Sequence, residues 1–237
     1  MQFECASRTD VGLRRKINED SILVDTDRGL WAVADGMGGH DRGEVASAAV
    51  VDALRQLPIA GDPDGFEAAA VQALKQVNGQ LIRLAQQIES DRTIGTTVVG
   101  LAIADGHYRC FWAGDSRGYL LRDGELTRMT KDHSLVQDLV DAGMLKPEEA
   151  ERHENASVIT RAVGVRETLD VDSVGGDAKP GDLFLLASDG LTRVVEDREM
   201  AAELTRGSLE EAADSLLQTV LARGAPDNVS LIITRLV

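Results

Sequence analysis

The chain has 237 residues, 43% of them apolar and 27% charged, and its 40 acidic against 25 basic side chains leave a net charge of −15. That apolar content supports a large buried core, while the surplus of acids argues against nucleic acid or an anionic membrane surface as a partner, because both repel the chain on average. Cys5 and Cys110 without a CxxC pair, and an opening without signal-peptide character, point to a reducing, cytoplasmic setting, and no apolar run approaches the roughly 18 residues that a spanning helix needs.

Apolar, β-rich runs at 22–24 and 30–34 predict the first strands. Residues 43–57 predict a helix that buries Val45, Ala49, Val50, Ala53 and Leu57. Phe66, Ala70, Ala73, Val77, Leu81, Leu84 and Ile88 step by threes and fours, the signature of a long amphipathic helix. Runs at 96–104, 108–113 and 119–121 predict strands, and 134–142 a short helix stopped by Gly143. A strand at 183–187, a helix through Leu209, Ala213, Leu216, Leu217 and Val220, and a strand at 229–236 complete the order. No proline-rich linker or repeat interrupts it, so residues 1–237 read as one domain. Two consecutive helices followed by a block of strands do not make the alternation of a doubly wound sheet; the expectation is α+β, with antiparallel sheets packed together and helices outside.

Asp-Gly occurs at 35, 64, 105, 123 and 189, and its default meaning is a tight turn. Asp105-Gly106 and Asp123-Gly124 each join two strand-like runs, and Asp64-Gly65 precedes the long helix as its cap region. Asp35-Gly36 and Asp189-Gly190 differ: each follows a fully apolar strand and neither leads into a second one. An acid at the end of a buried strand is rigidly placed, and a neighbouring glycine permits close approach of backbone or ligand. Asp20, Asp115 and Asp227 stand in comparable settings. Five such carboxylates with only four histidines in the chain form a hard oxygen set, suited to Mg²⁺ or Mn²⁺ rather than zinc.

These acids lie in segments that resemble, in order along nearly the whole chain, those of the metal-dependent protein phosphatases of type 2C, most closely their short bacterial form. The segments are 9–20 (ending Asn18-Glu19-Asp20), Val33-Ala-Asp-Gly-Met-Gly-Gly-His40, Gly95-Thr-Thr97, Gly114-Asp-Ser-Arg117, Asp132-His-Ser134, Ile159-Thr-Arg-Ala-Val-Gly164, Ala187-Ser-Asp-Gly-Leu191 and Asp227-Asn228. The resemblance implies a central sandwich of two antiparallel β-sheets flanked by pairs of helices. It also implies hydrolysis of phosphoserine and phosphothreonine in proteins by direct attack of a metal-activated water. Two Mn²⁺ or Mg²⁺ ions would be held, with a weaker third. By motif, Asp35 would bridge both ions, the Gly36 carbonyl would ligate one, and Asp189 and Asp227 the other. Asp20 would hold metal-bound water, with Glu19 as helper; Arg15 would grip the substrate phosphate; Asp115 with Asp189 would form the third-metal site. No role transfers to His40. The implied partners are phosphorylated proteins, substrates of a cognate Ser/Thr kinase, and the chain is expected to be monomeric.

A flap near 138–157 would border the cleft, and its stretch His153-Glu-Asn-Ala-Ser157 departs from the proline and arginine common in bacterial relatives. Neither cysteine is followed by arginine in a CxxxxxR loop, which excludes a cysteinyl-phosphate route. Taken alone, Arg15 in Arg14-Arg15-Lys16 reads as a solvated patch, His107 and His153 as surface, Trp31 and Trp112 as core, and His133 as helping start a helix capped by Asp132. Two rival functions stand beside the leading one. A non-catalytic phosphoprotein-binding module would lack a ligand, yet all five acids are present. A phosphatase for one dedicated partner or a small phosphate ester would share the whole acid set.

Overall fold

A computed structural model describes residues 1–38, 42–58, 63–87, 93–150 and 153–237. The strands are β1 (Phe3–Asp10), β2 (Asp20–Asp25), β3 (Leu30–Met37), β4 (Gly95–Thr96), β5 (Val98–Ala104), β6 (His107–Ala113), β7 (Arg117–Arg122), β8 (Glu125–Arg128), β9 (Asp172–Asp177), β10 (Leu183–Ala187) and β11 (Val229–Leu236). The helices are α1 (Gly43–Arg55), α2 (Pro63–Gln87), α3 (Leu135–Asp141), α4 (Pro147–Ala150), α5 (Asp189–Thr192), α6 (Asp197–Leu204) and α7 (Leu209–Ala222).

Two antiparallel sheets stack face to face, one in the order β1-β11-β10-β7-β8 and the other β2-β3-β5-β6-β9, with β4 paired to the end of β3. The strand period of two sorts side chains into three layers. Along β3, Trp31 and Val33 point between the sheets, where they meet Leu101, Trp112, Phe184 and Ile232, while Leu30, Ala32 and Ala34 point outward beneath α1 and α2. Along β10, Phe184 and Leu186 face the other sheet, and Leu183, Leu185 and Ala187 lie under α6 and α7. Both faces of these central strands are covered, which is why they read as unbroken apolar runs. The expected helix–sheet–sheet–helix sandwich is the observed one. Among the described residues, no helix is long and apolar enough to cross a membrane.

Asp105 and Asp123 have φ of 49° and 53°, followed by glycines at 79° and 83°, so both pairs form left-handed hairpin turns as expected. Asp64 and Gly65 lie inside the first turn of α2 rather than before it. Helix α1 is rotated by about one residue from the predicted face: Ala46, Val50, Val51 and Leu54 are buried, and Val45 is exposed. Ile88, the last residue of the predicted stripe on α2, lies outside the described residues, as does His40. The sequence does not predict strands β1 and β9 or helices α4, α5 and α6.

Candidate functional site

Asp20 opens β2 and stands directly opposite Asp35 in the β2–β3 ladder. Like charges across a strand pair are destabilising unless something neutralises them. The strand carrying Asp35 runs three residues beyond the predicted 30–34 stretch and is held there by β4 and the residue after it: Thr97 N–H and Thr96 Oγ1 both donate to the Asp35 carbonyl at 2.9 Å, and Asp35 N–H donates to Thr97 Oγ1 at 3.1 Å. Gly36 N–H donates to the Glu19 carbonyl at 3.1 Å. A Cβ on Gly36 would strike the Gly43 and Glu19 carbonyls, so only glycine lets β3, the 19–20 corner and the start of α1 converge.

The opposite sheet delivers three acids to the same end of the sandwich. Asp115 sits in the connection that carries the chain from β6 in one sheet to β7 in the other; Asp189 follows β10, and Asp227 stands two residues before the start of β11. Gly190 packs against the Asn228 carbonyl with no room for a Cβ. Asn228 then ties the loop before β2 to this edge: its Nδ2 donates to the Val11 carbonyl at 2.9 Å and the Ile17 carbonyl at 3.0 Å, and its Oδ1 accepts the Glu19 N–H at 2.8 Å. Ser188 Oγ donates to Asp20 Oδ2 at 2.9 Å, linking the sheets beneath the acids.

Burial and mutual repulsion raise the carboxyl pKa values. Asp20 and Asp115 are pushed up to about 6, in both cases first by loss of water. Asp35 is raised well above the carboxylate range by desolvation and then by Asp20, Asp189, Asp115 and Asp227, each of which adds to the rise, so it stands at the electrostatic centre. Asp189 is raised by desolvation, against the pull of Arg193. Asp20 Oδ1 and Asp115 Oδ1 are buried without a hydrogen-bond partner. Such a set fits added positive charge of the hard, oxygen-seeking kind.

Two guanidinium groups already supply part of it. Arg15 Nη2 lies 2.7 Å from Asp227 Oδ2, and Arg193 places Nη2 2.9 Å from Asp115 Oδ2 and Nε 2.9 Å from Asp189 Oδ2. With these carboxylates turned toward arginine, no group of three or more His, Cys, Asp or Glu among the described residues forms a finished ion cage.

A cavity of about 290 Å³ opens beside Asp115 and Asp189. Its far wall is the predicted flap region, through Val140, Pro147, Ala150 and Ala156, and its floor holds Arg117 and Arg128, both paired with Asp132. Asp132 therefore does not cap α3; Ser134 does, accepting the Gln137 N–H at 3.3 Å. His133 is buried against Trp112, accepts the Gly114 N–H on Nδ1 at 3.1 Å and meets Asp172 through Nε2 at 3.2 Å. Because Nδ1 accepts, the ring proton belongs on Nε2, and the histidine supports the turn that carries Asp115. Burial pushes the Cys5 thiol up to about 11 and the Cys110 thiol up to about 12, far from a reactive thiolate.

All seven predicted site residues, Arg15, Asp20, Asp35, Gly36, Asp115, Asp189 and Asp227, fall at this one end of the sandwich. Sequence reasoning gave no role to Arg193, Asn228 or Ser188, although the first lies four residues after Asp189 and the second beside Asp227.

The description "Protein phosphatase 2C" belongs to a family model that matches residues 14–224. The serine/threonine protein phosphatase PstP of Mycobacterium tuberculosis is 40% identical over 233 residues, covering 98% of this chain; the chain spans 45% of that relative's length. Among solved structures, PppA, described as a key regulatory component of T6SS in Pseudomonas aeruginosa, aligns with a TM-score of 0.92 and 40% identity over 99% of this chain and 98% of its own. The catalytic domain of PstP in complex with two manganese ions aligns with a TM-score of 0.86 and 38% identity over 98% of this chain and 97% of its own. The chain belongs to the protein phosphatase 2C family.

Proposed function

We propose that residues 1–237 form a single catalytic domain that hydrolyses phosphoserine and phosphothreonine in proteins with two Mn²⁺ or Mg²⁺ ions. The observation that carries this reading is the convergence of Asp20, Asp35, Asp115, Asp189 and Asp227 from both sheets on one end of the sandwich, with Arg15 beside them. Asp35, the Gly36 carbonyl, Asp189 and Asp227 would hold the ions, and Asp20 would orient water among them. When bound, the ions supply the positive charge that attracts a phosphate dianion and lower the pKa of water so that it attacks at neutral pH. Arg15 is half-exposed and offers a planar fork of donors to the phosphate oxygens. Burial holds both thiols protonated, which removes cysteine as a nucleophile; on this reading water held at the site would attack phosphorus directly, without a phosphoenzyme.

The two free thiols support a cytoplasmic setting with phosphorylated proteins, the products of a cognate Ser/Thr kinase, as partners, and we read the chain as a monomer. A second reading, one dedicated partner such as a secretion-system component, is favoured by the 40% identity to PppA, described as a regulatory component of T6SS. Turnover of a phosphothreonine peptide, a mixed phosphoproteome and p-nitrophenyl phosphate, each with Mn²⁺, Mg²⁺ or EDTA, tests both. Metal-dependent release from peptide and from many proteins is expected; release from one protein alone favours the dedicated reading, and equal rates with EDTA contradict the metal mechanism.

A further inference from the structure

Arg193 joins three parts of the site. Its Nη2 lies 2.9 Å from Asp115 Oδ2, its Nε lies 2.9 Å from Asp189 Oδ2, and the same Nη2 reaches the Ala156 carbonyl of the flap region at 3.3 Å. The backbone reinforces this placement: Arg193 N–H donates to the Asp189 carbonyl at 2.9 Å, a helical turn that puts both side chains on one face. Asp115 is only 4% exposed, so its charge is removed from water and depends on this partner.

We propose that Arg193 is a tethered cation that neutralises the Asp115–Asp189 position, so that this chain holds two divalent ions tightly and opposes binding of a third. The proposal rests on the two-ion reading above. Three of the five carboxylates pair with the guanidinium groups of Arg15 and Arg193, and with all five ionised the formal surplus is three negative charges. Two divalent ions turn that surplus into a single positive charge, a state able to receive an anionic phosphate. A further ion would meet Asp115 through Oδ1, the oxygen left without a partner, close to a guanidinium already bound to Oδ2. Like charges a few ångström apart in a partly buried site repel strongly. Arginine does not escape by losing its proton, so the competition persists at every working pH.

Mn²⁺ binding, followed by calorimetry and by electron paramagnetic resonance of free ion, tests this on wild type, Arg193→Gln and Arg193→Ala, with circular dichroism reporting the fold of each. Wild type is expected to take up two ions tightly. Both variants are expected to gain a third ion at least about tenfold more tightly than wild type, since each tenfold reflects a modest change in local repulsion. Adding Asp115→Asn to Arg193→Gln should remove that gain. A third ion bound as tightly by wild type as by Arg193→Gln overturns the proposal, and a wild type that binds three ions of similar affinity overturns it without any variant. Absence of binding in wild type and variants alike overturns the two-ion reading itself.

Discussion

At Asp35, burial strips water from a carboxyl that also feels four other acids, so its ionised form is costly until a cation arrives. Replacing it by the neutral, near-isosteric asparagine removes that cost together with the charge that would bridge ions. Asp35→Asn is therefore expected to abolish turnover and the thermal stabilisation given by Mn²⁺, while raising the melting temperature of metal-free protein by about 2–4 °C for each kcal/mol of repulsion relieved. A variant that melts lower than wild type without metal, yet is still stabilised by Mn²⁺, would contradict this placement of Asp35. Arg15 is tied to Asp227 at 2.7 Å but half-exposed, so it can exchange that partner for phosphate. Arg15→Ala should raise KM by about 10–100-fold, the worth of a charge-assisted hydrogen bond, with ion stoichiometry unchanged; steady-state kinetics with a phosphopeptide decide it.

The loop before β2 is positioned by one side chain from another element. Asn228, at the entry to β11, holds Val11, Ile17 and Glu19 by three hydrogen bonds, and through them the path of Arg15 and the register of Asp20. Asn228→Ala leaves these partly buried backbone groups without that partner, at about 1 kcal/mol each or less. Its expected signature is a lower melting temperature combined with a raised KM, and an unchanged KM would mean that Arg15 is placed without it.

The central elements were legible because β3, β5, β10 and β11 are buried on both faces and so read as continuous apolar runs. Strands β1 and β9 and helices α4, α5 and α6 were not, and α4 and α5 have only four residues each, too few to show a period. Strand β1 is an edge strand of mixed polarity, β9 contains Gly175 and Gly176 where strands usually carry branched residues, and α6 is an eight-residue helix dominated by charge. The misphased face of α1 has a similar cause: its alanines and valines nearly encircle the helix, and the choice between Val45 and Ala46 is made by packing on β2 and β3. The acids could be found because strand ends and Asp-Gly pairs mark them locally. Arg193 could not, since its partner Asp115 is 78 residues away and only the crossing from β6 to β7 brings them together.

Across the whole molecule, these carboxylates set how stability depends on pH in the absence of metal. Asp20 and Asp115 have folded pKa values of about 6 against an ordinary 3.8, and Asp35 and Asp189 are also raised. A carboxyl whose pKa is raised by folding binds protons more readily in the folded state, so stability increases as pH falls through about 6 and is lost again as pH rises. His133 acts in the other direction: burial lowers its pKa below 6.5, and acidification favours the unfolded, protonated form. Four raised acids outweigh one lowered histidine. Metal-free protein should melt higher at pH 5.5 than at pH 8, and Mn²⁺ should stabilise more at pH 8, where Asp20 and Asp115 are ionised. Differential scanning fluorimetry with EDTA or Mn²⁺ across this range reads both effects.

The most direct measurement is hydrolysis of a phosphothreonine peptide in Mn²⁺ or EDTA by wild type and Asp189→Asn, with folding of both verified. Turnover by wild type only with Mn²⁺, and its loss in the folded variant, is the predicted result. Undiminished turnover by Asp189→Asn, or turnover by wild type in EDTA, would contradict a metal-dependent phosphatase built on these five acids.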